Sequence, residues 1–142
     1  MFSKEVSKVI RQEFWVSYGK AFPRKWIRYD TKIKDVSLKF YFDTRNAAIL
    51  LDIEDSNPTN RRIYFQKLEA LKGILHQDYL PDAVYEEHCI LENGKEISRI
   101  SVTLTQVSIH DKNTWQRTMV FLHDTMDKLE QFWLEYAEFI KT

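Results

Sequence analysis

The chain has 142 residues, with 21 Lys and Arg balanced by 21 Asp and Glu, so its formal net charge is zero. That length suits one domain over 1–142, able to bury roughly two-thirds of its unfolded surface, and 14% aromatics with only three Gly and three Pro exclude a disordered chain. Cys89 is the only cysteine, which excludes an intrachain disulfide and fits a reducing cytoplasm. No apolar run approaches the ~20 residues of a membrane-spanning helix, and the charged N-terminus MFSKEVSKVIRQ lacks a signal core.

The first helix is expected to begin at the cap Ser3 and to stop near Gly19, with Pro23 beyond it. Its inward stripe is Val6, Ile10, Phe14 and Tyr18, with Val9 flanking and Trp15 at the boundary. A short extended segment over residues 26–33 follows as a first strand. VSLKFYFD then alternates Val36, Leu38, Phe40 and Phe42 with Ser37, Lys39, Tyr41 and Asp43, the pattern of a half-buried strand. AAILLDIE is apolar on both faces until Asp52, which marks a more central strand.

Asn57 and Pro58 open a second helix with the stripe Tyr64, Leu68, Leu71 and Leu75, widened by Phe65 and ended by Pro81. VYEEHCILENGKEISRISVTLT reads as a hairpin about Asn93-Gly94. A two-residue turn there places His88 opposite Arg99 and Glu86 opposite Ser101, a polar cross-strand patch. The last helix starts near Asp111 or Asn113 and carries Trp115, Met119, Leu122, Met126, Leu129, Trp133, Tyr136 and Ile140 at alternating spacings of four and three. Its length of ~40 Å requires it to span the sheet, project, or bend, the expected bend being at HDTMDK. The order α-β-β-β-α-β-β-α gives an α+β fold: about five mainly antiparallel strands with three helices packed on one face.

The strings RQEFWVSYGKAFPRKW, YFQKLEALK, NGKEISRI and NTWQRTMVFLHDTMDKLEQFW resemble a bacterial family catalogued as a domain of unknown function, number 4268. The resemblance covers nearly the whole chain. It implies no activity for any particular residue. Members of that family often form the C-terminal part of longer bacterial proteins, some with nuclease-like N-terminal regions. This sequence opens directly on the domain, so the resemblance implies that any nuclease partner is a separate protein.

The sequence contains no catalytic, zinc or phosphate-loop motif and implies no cofactor. Its charge is uneven: residues 1–45 hold eleven Lys and Arg against five Asp and Glu, and the remainder is acidic. The densest part is KAFPRKWIRYDTKIK, in which Lys20, Arg24, Lys25, Arg28, Lys32 and Lys34 accompany Trp26 and Tyr29. Lysine and arginine neutralise phosphates, and aromatic rings stack on exposed bases. The first expectation is therefore a non-catalytic module that binds nucleic acid or an acidic protein through these eight residues. Against it stands the ordinary use of such rings in a core boundary and of such lysines in guarding a strand edge.

A divergent metal-dependent nuclease-like hydrolase is the alternative, built on Asp30, Asp52 and Glu54, although the acid that should precede the Asp30-Thr31-Lys32 triplet is missing. Cys89 with His88 beside it fails as a nucleophile pair, because neighbours on a strand point to opposite faces. The wide aromatic face of the last helix fits packing on its own sheet and leaves a homodimer contact through the aromatic-rich helices as a third expectation.

Overall fold

A computed structural model describes residues 2–142. The elements in chain order are α1 (Lys4–Ala21), β1 (Val36–Phe42), β2 (Asn46–Ile53), α2 (Pro58–Ala70), the single turn α3 (Lys72–Ile74), β3 (Val84–Ile90), β4 (Glu96–Thr105) and α4 (Trp115–Lys141). A π-turn at Leu75–Tyr79 prolongs α3, and a 3-10 turn at Lys112–Thr114 leads into α4. The four strands form one antiparallel sheet in the order β1-β2-β4-β3. The fold is α+β with four strands and four helices rather than five and three.

The local chemistry of each boundary is visible. Ser3 caps α1 by accepting from the Val6 N–H, and Asn57 caps α2 by accepting from Thr59 and Asn60, with Pro58 in the first turn. β2 is central, as its doubly apolar sequence requires. Its register aligns Leu38, Leu51 and Ile100 across three strands on the inner face, all three fully buried or nearly so. Alternate residues Lys39, Leu50 and Ser101 occupy the outer face.

Helix α4 lies across this inner face and remains α-helical through HDTMDK. Trp115, Met119, Leu122, Met126, Leu129, Trp133 and Ile140 are buried in the core, and Tyr136 is packed against it. Phe132, also fully buried, widens the contact. Each such side chain contributes about 1.5–3 kcal/mol on burial. The aromatic seam is thus consumed within the chain. No helix of the described residues is long and apolar enough to cross a membrane.

Three expectations need correction. Residues 26–33 form no strand. The chain there folds back on itself through Asp30 N–H donating to the Ile27 carbonyl, and Arg28, Lys32 and Asp35 all have positive φ. The Thr31 hydroxyl donates to the carbonyls of Ile33 and Val36 and fills the interior of this loop. In α1, Phe14 and Tyr18 are buried, but Val6 and Val9 face outward. Ile10 packs against the core, and the N-terminal half is held further by Ser7 Oγ to His110 Nε2 at 3.0 Å and by Phe2 against the His110 ring. In the hairpin the turn is longer than two residues, with Leu91 N–H donating to Lys95, and β3 bulges between Glu86 and Cys89. Glu86 therefore stands opposite Arg99, and Val84 opposite Ser101.

Candidate nucleic-acid interface

The sharp exit from α1 builds one wall of a cleft. Pro23 has no N–H, so the Gly19 carbonyl has no i+4 donor and the helix closes instead on Phe22 N–H donating to Tyr18. The chain then turns along α4 and is pinned there. Glu130, 6% exposed, accepts from the Ile27 N–H at 2.9 Å and from Arg24 Nη2 at 3.0 Å, while Asp127 takes Arg24 Nη1 at 2.6 Å. Further along, the Trp133 indole donates to the Thr31 carbonyl. These contacts bind residues 24–31 to the C-terminal helix.

Between α1, this loop and β1 opens a cleft of about 610 Å³. The rings of Trp15, Tyr18, Phe22, Trp26 and Phe40 line it, together with Gly19 and the exposed cations Arg24, Lys25 and Arg28. Tyr18 meets Phe22 at 5.6 Å and Phe40 at 5.5 Å between ring centres. Trp26 packs edge-on against Phe40 and His123. Arg24 caps Trp26 with its guanidinium carbon 3.9 Å from the ring centre, a cation–π contact made by a side chain that Asp127 and Glu130 also hold. Burial works against the charge of Arg24, but Asp127 and Glu130 raise its pKa above the usual arginine value.

Of the eight sequence-predicted residues, Arg24, Lys25, Trp26 and Arg28 come together at this cleft. Tyr29, 66% exposed, lies on an adjoining depression with Lys25 and Arg28, and the Arg28 guanidinium stands 5.4 Å from its ring. Lys20, Lys32 and Lys34 are exposed but line neither depression. Lys32 pairs with Asp30, whereas Lys20, Lys25, Arg28 and Lys34 make no salt bridge among the described residues. Arg28 is held at φ 42°, a left-handed conformation that costs a non-glycine residue about 1–3 kcal/mol. The sequence alone did not nominate Trp15, Tyr18, Phe22 and Phe40 for the site. The only available signal was the ring density on both sides of the basic stretch.

Tyr18 is unusual among these rings. It is 5% exposed, and its hydroxyl, itself buried, has no hydrogen-bond partner among the described residues. Burial pushes its pKa up to about 12, so the hydroxyl is neutral at any physiological pH. A buried hydroxyl left without a partner costs about 1–3 kcal/mol.

The outer sheet face carries the acids of the metal alternative. Asp52 is fully buried and accepts from Arg99 Nε and Nη2 at 2.7 and 3.0 Å, with Lys39 Nζ at 3.2 Å. Lys39 also reaches Glu54 at 2.8 Å. The hydrogen bonds that Arg99 donates to Asp52 raise its pKa against the cost of its burial, and for Lys39 burial is likewise opposed by Glu54 and Asp52, which raise its pKa. Asp30 is instead exposed on the loop beside Lys32. Asp52 is thus already neutralised by protein cations. No group of three or more His, Cys, Asp or Glu among the described residues stands close enough to share a metal ion. His88 turns to Glu96 at 3.2 Å, and Cys89 is buried, its thiol pKa raised by burial.

No curated protein and no solved structure matches the chain. A protein-family model, Domain of unknown function (DUF4268), matches residues 10–137, which take in α1 from its second turn, the whole sheet, the cleft and α4 almost to its end. With nearly its full length covered, this chain belongs to that family.

Proposed function

We propose that the protein is a non-catalytic module that binds single-stranded nucleic acid at the cleft between α1, the 22–30 loop and β1. The observation that carries this reading is the conjunction of five aromatic rings in one cleft with the free cations Lys25 and Arg28 on its rim. A base offers a flat apolar face to such rings, and its phosphates need cations that no protein carboxylate already occupies. A duplex keeps its bases stacked inside, so a single strand is the better fit. The strained backbone at Arg28 supports the same reading, since strain of this kind persists where a side chain must be aimed.

The test is fluorescence anisotropy of labelled single- and double-stranded oligonucleotides across a salt series, read together with quenching of the tryptophan emission. Single strands should bind more tightly than duplex. Affinity should fall with salt, and the combined substitution Lys25→Glu and Arg28→Glu should weaken it at least tenfold and flatten the salt slope by roughly one to two phosphates' worth. Absence of affinity at low salt, where the phosphate contribution is largest, overturns the proposal.

A further inference from the structure

The cleft has a neighbour. A second depression of about 460 Å³ runs along residues 25–30, and Lys25, Trp26 and Arg28 line both. Tyr29 lines the second one and, at 66%, is the most exposed aromatic side chain among the described residues. It stands outside the hydrophobic core, which the other rings of this stretch, Phe22 and Trp26, both touch. The Arg28 guanidinium carbon lies 5.4 Å from the Tyr29 ring centre and 5.7 Å from that of Phe40 in the cleft. One cation thus reaches a ring of each depression. Asp30 is the one acid lining either of them, and it is paired with Lys32 at 2.9 Å.

Resting on the single-strand reading above, we infer that the site takes two consecutive nucleotides. One base enters the cleft, the next stacks on the Tyr29 ring, and the phosphodiester joining them meets Arg28 and Lys25. A phosphodiester lies between the sugars of neighbouring nucleotides, so cations common to two ring sites are where it passes. The stack on Tyr29 serves any base, because every base has a flat π face. A tyrosine has only two side-chain torsions to fix, so an exposed one can hold a base at small entropic cost. With Asp30 already paired, no free carboxylate of the second depression opposes the phosphate. The ligand class is therefore the interior of a strand rather than a free nucleotide, since only an internal phosphodiester carries a base on each side.

The deciding comparison sets thymidine monophosphate, with one base, against the dinucleotide TpT, with two. Each holds a single phosphate, and the diester carries the smaller charge, so tighter binding of TpT does not come from charge. In competition against a labelled oligothymidylate at low salt, TpT should bind at least about fivefold more tightly, the lower end of what one base–aromatic stack contributes. Tyr29→Ala removes an exposed side chain that the core does not use, so it should leave thermal unfolding unchanged. It should lower the affinity for TpT and for the labelled strand by at least about fivefold, and leave that for the monophosphate as it was. Tyr29→Phe keeps the ring and should bind as the wild type does. Equal competition by the two short ligands overturns the two-nucleotide site while single-strand binding stands. If neither short ligand competes, the labelled strand decides: an affinity unchanged in Tyr29→Ala overturns the second stack. No binding of the labelled strand by the wild type removes the two-nucleotide site together with the function it rests on.

Discussion

Replacing Glu130 should loosen the entire basic segment, because one carboxylate holds it in two places. In Glu130→Ala the Ile27 N–H loses its acceptor at 2.9 Å and Arg24 loses one of its two carboxylates. Orphaning a half-buried N–H costs about 1–2 kcal/mol. The Arg24 bond adds about 1 kcal/mol and no more, since its side chain is one-third exposed and keeps Asp127. The sum is about 2–3 kcal/mol. At roughly 0.3 kcal/mol per degree of unfolding entropy for a chain of this length, Tm should fall by about 7–10 °C. Glu130→Gln retains a carbonyl acceptor for Ile27 and should lose only about 3 °C. Asp127→Ala removes a partner that is itself about one-third exposed and should cost no more than that. Thermal unfolding followed by circular dichroism separates the three variants. Equal, small shifts for Glu130→Ala and Asp127→Ala would refute the idea that the buried carboxylate anchors the loop.

Other expectations follow from the same contacts. Asp52→Asn leaves Arg99 and Lys39 facing a neutral amide at a fully buried position, and should cost about 2–4 kcal/mol in urea unfolding; a loss under 1 kcal/mol would show that the outer-face cluster is dispensable. The Asp43 carboxyl, despite the cost of burial, is held below its usual range by the Tyr41 hydroxyl and the backbone N–H groups of Asn46 and Arg45. A depressed carboxylate contributes stability that is present above its unfolded value near 4 and lost as pH falls through the lower folded value. Acid titration of stability should therefore be shallower in Asp43→Asn below about pH 4, and an unchanged acid limb would count against this turn. The Cys89 thiol, buried and raised in pKa, should react with a disulfide reagent only at the rate of unfolding; fast labelling of the native protein would contradict its burial.

Most elements whose signal is a repeat in sequence were legible in advance, the exposed N-terminal half of α1 excepted. The α4 stripe and the alternation of β1 and β4 follow directly from periods of 3.6 and 2, and the core is where those periods place it. The loop after α1 was not legible, because what shapes it is not periodic. Arg28, Lys32 and Asp35 adopt a glycine-like conformation without being glycine, and they do so because Thr31, Glu130 and Trp133 fix the chain around them. The hairpin register failed for a similar reason: Asn93-Gly94 marks the turn but does not reveal the bulge at Glu86–Cys89. At the cleft, the cations could be read as a cluster in sequence. Its floor is assembled from Tyr18 on α1 and Phe40 on β1, and only the folded chain makes them neighbours.

The bonds that hold the basic loop also set an order of events. Ile27 and Glu130, Arg24 and Asp127, and Thr31 and Trp133 are each more than a hundred residues apart. Contacts of that separation must await closure of nearly the whole chain. On the ribosome the loop emerges first and its anchor last, so the cleft wall is fixed only when synthesis of α4 is complete. A chain truncated before α4 would carry every cation of the basic stretch and still lack Glu130 and Trp133, which hold that stretch in place.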